Sequence, residues 1–311
     1  MTNPPLVSIF IPVYNQDAFV GQAIQSALCQ TYTNIEVVIG DDASTDLSWE
    51  IIKRFKNAYP DIVKAYRNDI NLGITGNCNK LLQHCGGDFI AFHAGDDIFL
   101  PSKVQTQVDT MLKNSECILC YHNIEVFDGE SGATIRHWNS GPEGVPPVEG
   151  DSKFLAAKLV EKGTRFMAAL SVMAKRSALP CYDERVPVAS DWLMWINACA
   201  ENRGEICYVN QILARYRKHA KSITSAFNSR SEIYLTLAIV ESSYPWLRNA
   251  VRRARSYNFY KDAVDFTFEA NYNEARENFV LAARLGGCSW KWVIWWMYTW
   301  VLQLREISRT T

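Results

Sequence analysis

Acidic residues recur in this chain where apolar runs stop. Asp41 and Asp42 follow Ile35-Glu36-Val37-Val38-Ile39-Gly40, and Asp96 and Asp97 follow Phe89-Ile90-Ala91-Phe92-His93-Ala94-Gly95. Asp191 opens a segment holding Trp192, Leu193, Trp195 and Ile196. Carboxylates so placed suit two kinds of chemistry. One or two can hold a hard divalent cation, Mg²⁺ or Mn²⁺, whose remaining positions are filled by phosphate and water oxygens. Another can accept a proton from a hydroxyl as that hydroxyl attacks. His219, in Tyr216-Arg217-Lys218-His219, adds an imidazole that can serve a metal. The bland alternative is a turn followed by a helix cap at Gly95-Asp96-Asp97, caps at Asp42 and Asp191, and an ordinary exposed or structural histidine.

Such residues act together only if strands and helices bring them together. Residues 6–13 form a β-rich apolar run that ends at Pro12-Val13-Tyr14-Asn15, and residues 19–29 carry apolar side chains at helical spacing. The strand 35–40 is followed by a helix at 49–59 that starts from the Ser44/Thr45/Asp46 cluster. A short strand near 63–66, a polar loop at 68–71, a helix through Leu82 and a buried strand at 89–92 continue the alternation. This order predicts an α/β protein with a doubly wound, mostly parallel sheet flanked by helices. Ligands of such sheets bind outside the carboxyl ends of the strands, so the Asp42 and Asp96 loops are expected to share one crevice. Residues 129–150, rich in Gly, Pro and Glu, are expected to form a mobile excursion over it. A helix at 154–161, a helix from Ser190 and a strand at 206–209 follow. After Ser225 the alternation stops and the rest reads as helices, so the expected domains are 1–225 and a helical C-terminal region, 226–311.

Composition narrows the partners. With 311 residues, 48% of them hydrophobic, 21% charged and a net charge of −1, the chain lacks the positive field of a general nucleic-acid binder. Its nine cysteines form no dense disulfide framework, which points to a reducing cytoplasm. Cys117 and Cys120 have C-x-x-C spacing but lie in an apolar run and are expected to be buried thiols. No basic segment precedes the first apolar run, so no signal peptide is read. The longest uncharged apolar run, 292–304, would make a helix of roughly 20 Å, short of a hydrocarbon core of about 30 Å.

The segments Val7-Ser8-Ile9-Phe10-Ile11-Pro12-Val13-Tyr14-Asn15, Asp41-Asp42-Ala43-Ser44-Thr45-Asp46, Ala94-Gly95-Asp96-Asp97 and Ser190-Asp191-Trp192 with Arg215-Tyr216-Arg217-Lys218-His219 resemble, in that order, the signature elements of family-two GT-A glycosyltransferases. The resemblance covers about residues 6–225. It implies transfer of a sugar, with inversion, from a nucleotide diphosphate to a glycan. It implies that Asp96 binds Mn²⁺ or Mg²⁺ on the diphosphate, that His219 is a second metal ligand, and that Asp97 contacts ribose or sugar hydroxyls. Tyr14 would stack on the base, Asp42 would accept a hydrogen bond from uracil or thymine, and the main chain of Pro12 and Val13 would frame the pocket. UDP is therefore the favoured donor nucleotide and dTDP the other. Asn71 and Asn77 belong to a further donor-contacting stretch. Asp191 would be the base, its charged form favoured by a helix N-terminus. The chain departs from the family pattern at Ala94, where a carboxylate is often found, and at Cys78, where many relatives have Arg.

Beyond residue 225 the chain offers Arg248, Arg252 and Arg255 on one helical face, read as a solvated face. It also offers Trp290, Trp292, Trp295, Trp296, Tyr298 and Trp300, with Lys291 and Arg305 at the ends. That density of tryptophan suits a helix lying in a headgroup region, so a peripheral location on the cytoplasmic face of the inner membrane is expected. The acceptor would then be a polyprenyl-diphosphate-linked glycan used in surface polysaccharide assembly. Packing against the catalytic domain or a second copy in a homo-oligomer is the alternative use of these tryptophans. Two rival functions remain: a nucleotide-sugar-binding module without turnover, given Ala94 and Cys78, and a nucleotidyltransferase, for which residues 12–21 lack the basic Gly-rich loop.

Overall fold

The computed structural model describes residues 4–220, 230–286 and 290–310. It divides into two compact units, Met1–Leu159 with Gly163–Glu232, and Val160–Lys162 with Ile233–Thr311. The boundary expected at 225/226 lies outside the described residues.

In the first unit the expected alternation is present. Strands β1 (Val7–Val13), β2 (Ile35–Asp41), β3 (Val63–Arg67) and β4 (Phe89–Phe92) are separated by helices α1 (Val20–Leu28), α2 (Ser48–Ala58) and α3 (Gly73–Gln83). These four strands pair in parallel, in the order β3-β2-β1-β4. Their runs are apolar on both faces because helices cover both sides. Val7, Ile9, Ile11, Val37 and Ile39 form the centre of the core. Gly40 allows α3 to lie close on β2, since a Cβ there would meet Asn77 Oδ1 at 3.0 Å and Leu81 at 3.2 Å.

The second half of the sheet is mixed. It contains β5 (Ile98–Phe99), helix α4 (Lys103–Lys113), β6 (Cys117–Asp128), β7 (Thr134–His137), β8 (Gly150–Asp151), helix α5 (Ser152–Lys162), β9 (Met173–Lys175), helix α6 (Ser190–Glu201) and β10 (Glu205–Lys218). The order continues β4-β9-β6-β10-β5, with β9 antiparallel to both its neighbours and β10 parallel to β6. Three expectations are corrected here. The excursion 129–150 contains a strand, β7, hydrogen-bonded to β6. The strand expected at 206–209 runs on to Lys218, with irregular register near Val209 and Ile212 that hid its period from a window of the sequence. Helix α5 starts two residues early because Asp151 Oδ1 accepts from the N–H groups of Lys153 and Phe154. Cys117 and Cys120 are buried free thiols on β6.

The second unit is helical among its described residues: α7 (Arg230–Ser243), whose first turn through Glu232 belongs to the first unit, α8 (Arg248–Phe268), α9 (Tyr272–Gly286) and α10 (Trp290–Thr310). Ala263, Ala275 and Phe279 form its small core, with Tyr260, Trp292 and Trp295 packed around them. Arg248 and Arg252 are exposed, whereas Arg255 pairs with Glu241 at 2.7 Å, so the arginine face is only partly solvated.

Candidate active site

The site is built at the carboxyl end of β1. The chain turns there through Asn15, whose φ of 51° is left-handed, a conformation that asparagine tolerates well. Tyr14 projects from the turn, 47% exposed, with a ring face free to meet a planar ligand. Val13 O accepts from Asp42 N at 2.9 Å, and Asn15 N donates to Ser44 Oγ at 2.9 Å, so the loops after β1 and β2 are laced together. The loop after β4 joins them at Gly95. A Cβ at Gly95 would lie 2.2 Å from Gln16 Oε1 and 3.1 Å from Val13, so a larger residue would have to displace the Gln16 side chain.

Asp42 is 2% exposed, and its Oδ1 accepts from Asn68 Nδ2 at 2.9 Å and from Leu72 N at 2.8 Å. Asn77 Oδ1 also accepts from Asn68, and Asn77 Nδ2 donates to Gly40 O at 2.9 Å. Asn77, expected to contact the donor, is a buried brace between α3 and β2. Asn71 is exposed and spends its Oδ1 on Gly73 N, fixing the turn into α3. Two buried oxygens beside this turn, Gln16 Oε1 and Asp41 Oδ1, have no hydrogen-bond partner.

Asp96 and His219 meet: Asp96 Oδ2 lies 3.0 Å from His219 Nε2, and Phe19 packs on the imidazole with ring centres 4.6 Å apart. Asp97 points the other way. It is 2% exposed, and its Oδ1 accepts from Arg217 N at 2.8 Å. Burial and the neighbouring Asp96 raise its pKa well above the usual carboxylate range. Asp97, expected to contact sugar or ribose hydroxyls, makes an internal bond that ties the acidic loop to β10. Arg217 completes the tie. Its Nε donates to Asp96 O at 2.8 Å and its Nη2 to Gln22 Oε1 at 2.6 Å, while the guanidinium lies 4.9 Å from the Phe19 ring centre and 4.8 Å from that of Phe127. The sequence assigns Arg217 no role, although alternation along β10 places Arg215 and Arg217 on one face, just ahead of His219.

No group of three or more His, Cys, Asp or Glu converges among the described residues. The Asp96–His219 pair nevertheless fits a divalent ion that takes its other oxygens from a diphosphate and water, because such an ion needs few protein ligands.

Asp191 stands in the first turn of α6, partly buried, with Oδ1 accepting from Trp192 N at 2.7 Å. The helix N-terminus was expected to hold its pKa down. Burial outweighs the backbone hydrogen bonds, and the pKa is raised. Two contacts locate this carboxylate. Trp195, one turn further along α6, packs edge-on against Phe92 at the end of β4, with ring centres 4.8 Å apart. On α3, the Cys78 thiol is pushed up to about 12 by burial and by the charges of both Asp191 and Asp42. Thr75, also on α3, lies 2.7 Å from Ser190 Oγ and 2.9 Å from the carbonyl oxygens of Val186 and Pro187. Asp42 and Asp191 therefore flank the same helix, and the Asp96 loop leaves the strand end on which α6 packs.

The family model described as Glycosyl transferase family 2 matches residues 8–182, more than half of the chain. The chain belongs to glycosyl transferase family 2. Among curated relatives of this family-2 chain, the Escherichia coli protein "UDP-Glc:alpha-D-GlcNAc-diphosphoundecaprenol beta-1,3-glucosyltransferase WfgD" is 28% identical over 220 residues, covering 71% of this chain and 80% of WfgD. An uncharacterized Mycobacterium tuberculosis protein, Rv1520, is 28% identical over 236 residues, 74% of this chain but only 64% of that protein's length. Staphylococcus aureus TarS 1-349, solved in complex with UDP-GlcNAc, superposes with a TM-score of 0.66 at 16% identity, covering 89% of this chain and 81% of that one. The Pyrobaculum calidifontis mannosyltransferase PcManGT, solved with GDP-Man and Mn²⁺, gives 0.59 at 15% identity over 99% of this chain and 83% of that one. The GT-A fold expected from the signature segments is the fold observed.

Proposed function

We propose that this family-2 chain is an inverting glycosyltransferase of polysaccharide biosynthesis, moving one sugar from a UDP-linked donor to a hydroxyl of a lipid-linked glycan. The observation that carries this reading is the gathering of Asp42, Asp96 with His219, and Asp191 around the end of β1 and the N-terminal half of α3. Tyr14 offers a stacking face to the base. Pro12 and Val13 frame that pocket, and Asp42 supplies an acceptor for the N–H of the base. Asp96 and His219 hold Mn²⁺ or Mg²⁺, which when bound neutralises the charge developing on the diphosphate leaving group. Asp97 and Arg217 keep that loop in place. Asp191, poised by a raised pKa, takes the proton of the attacking hydroxyl on the face opposite the leaving group. The UDP donor and lipid-diphosphate acceptor printed in the name of WfgD support the same substrate class here.

Helix α10 supports a membrane-surface acceptor. Trp292, Trp295 and Thr299 lie on its packed side, and Trp296 and Trp300 border it, Trp300 under the Arg276 guanidinium at 3.8 Å, whereas Val293, Ile294, Met297, Val301 and Leu304 are exposed on the opposite side. No described helix is long and apolar enough to cross a membrane. An apolar face without charge between Lys291 and Arg305 fits shallow insertion beneath anionic headgroups.

Purified protein incubated with Mn²⁺ and a panel of UDP-, dTDP- and GDP-sugars, with a lipid-linked glycan as acceptor, tests the proposal. Metal-dependent transfer from a UDP-sugar that is lost in Asp191→Asn supports it. Nucleotide binding without turnover in either form would establish a binding module instead. Flotation with anionic vesicles, lost in the Val301→Ser/Leu304→Ser variant, tests the membrane face.

A further inference from the structure

We propose that Glu232 is a positioning residue for Asp191, an inference that rests on Asp191 being the base. Helix α6 begins without a cap of its own: the residue before it is Ala189, whose side chain accepts no hydrogen bond. Among the described residues Asp191 bonds within the first turn of its own helix, so the carboxylate goes where the start of α6 goes. That start is held from two sides. Thr75 binds the 186–190 segment from α3, as described above. From the other side comes Glu232, in the first turn of α7 and 7% exposed, whose Oε2 accepts from Ala189 N at 2.7 Å and from Val188 N at 3.2 Å.

An ionised carboxylate taking two adjacent backbone N–H groups makes charge-assisted bonds, the strong kind, and leaves those amides little freedom. The carboxylate anchors the backbone of Val188 and Ala189 directly, ending two residues before the reacting group. Glu232 lies outside the region matched by the family model, on a helix that reads from sequence as part of the appended region. Displacing a general base by about 1 Å lowers turnover on the order of 10²-fold while leaving donor binding intact, because base and donor contacts are made by different groups.

Three variants of the full chain test this: Glu232→Ala, Glu232→Asp and Glu232→Gln. The Asp variant keeps the charge and falls short by a methylene, so it carries the same test if the Ala variant fails to fold. Glu232→Ala and Glu232→Asp are expected to lower kcat roughly 10- to 100-fold, with donor KM and calorimetric UDP affinity within two-fold of wild type. In Glu232→Gln the amide oxygen still accepts, and most of kcat returns. Placed in the Asp191→Asn background, Glu232→Ala is expected to change the residual rate less than two-fold, since there is no base left to misplace. Full kcat in both Glu232→Ala and Glu232→Asp, an equal loss of UDP affinity, or a full additional loss in the Asp191→Asn background would overturn the assignment. Wild-type turnover in Asp191→Asn alone would instead remove the base reading itself.

Discussion

The two ends of the site are built differently. At the proposed metal and diphosphate end, the Ala94–Asp97 loop is tied by Arg217 to α1 and β10, clamped by Asp97 on the Arg217 amide, and pressed through Gly95 onto the turn after β1. At the proposed base end, the Asp191 carboxylate bonds, among the described residues, to its own helix turn and is placed by second-hand contacts through Thr75 and Glu232. The difference follows from what each end must do. An ion and a diphosphate bind to geometry prepared in advance, which rewards rigidity. A base must be ionised yet poorly solvated, and direct partners would hold its pKa down and weaken it.

The largest expected effect separates the two ends outright. Asp191→Asn should lower kcat by about 10² to 10⁴ and leave UDP affinity unchanged, checked by transfer kinetics beside calorimetry. An equal loss of UDP affinity would mean that the ends are not independent. Asp96→Ala should cost on the order of 10² in turnover and also raise the Mn²⁺ concentration needed for nucleotide binding, followed by titrating Mn²⁺ against UDP. His219→Ala should shift the same Mn²⁺ curve in the same direction.

The pH profile sharpens the comparison. Because burial raises the Asp191 pKa, its ionised fraction is lost as pH falls through a value above the usual carboxylate range near 3.9, so kcat should fall about tenfold per pH unit below that limb. The limb should vanish in Asp191→Asn and stay in place in Tyr14→Phe.

A smaller effect concerns what lies beneath the diphosphate end. Lys103, fully buried, donates to Gln107 Oε1 at 2.7 Å and sits 4.1 Å from the Phe99 ring centre, and His93 stacks on that ring. Burial lowers the Lys103 pKa to about 7. A lysine whose folded pKa is depressed binds fewer protons in the native than in the unfolded state, so stability rises as pH climbs from about 7 towards 10. The gain should approach roughly 1.4 kcal/mol per pH unit, and Lys103→Met should abolish it in denaturant titrations read across that range. The smallest effect is at Ala43, whose φ of 55° is left-handed. Ala43→Gly should stabilise the protein by about 1 kcal/mol, seen as a higher Tm, with the Asp42 bonds and UDP affinity preserved.

Most of the parallel half of the sheet could be read in advance, because β1 to β4 are short, apolar and separated by amphipathic helices. The later half could not. β7 is a polar edge strand, α5 depends on one capping aspartate, and β10 carries register shifts that break its alternation. Within the site the residue types marked Tyr14, Asp42, Asp96, Asp191 and His219 as candidates. They did not announce which polar side chains are internally bonded, as Asp97 is to the Arg217 amide and Asn77 to Gly40 O.

What the amino-acid order determined on its own is the alternation of apolar strands with helices, and with it the placing of acidic residues at strand ends where a parallel sheet binds ligands. Only the tertiary structure decided which of two adjacent aspartates meets His219, why the Asp191 pKa goes up, and how a glutamate on the helix that follows residues 221–229 comes to hold the start of α6. The physical reason is that local pattern sets backbone conformation over a few residues, whereas burial, charge proximity and hydrogen-bond partners depend on neighbours distant along the chain.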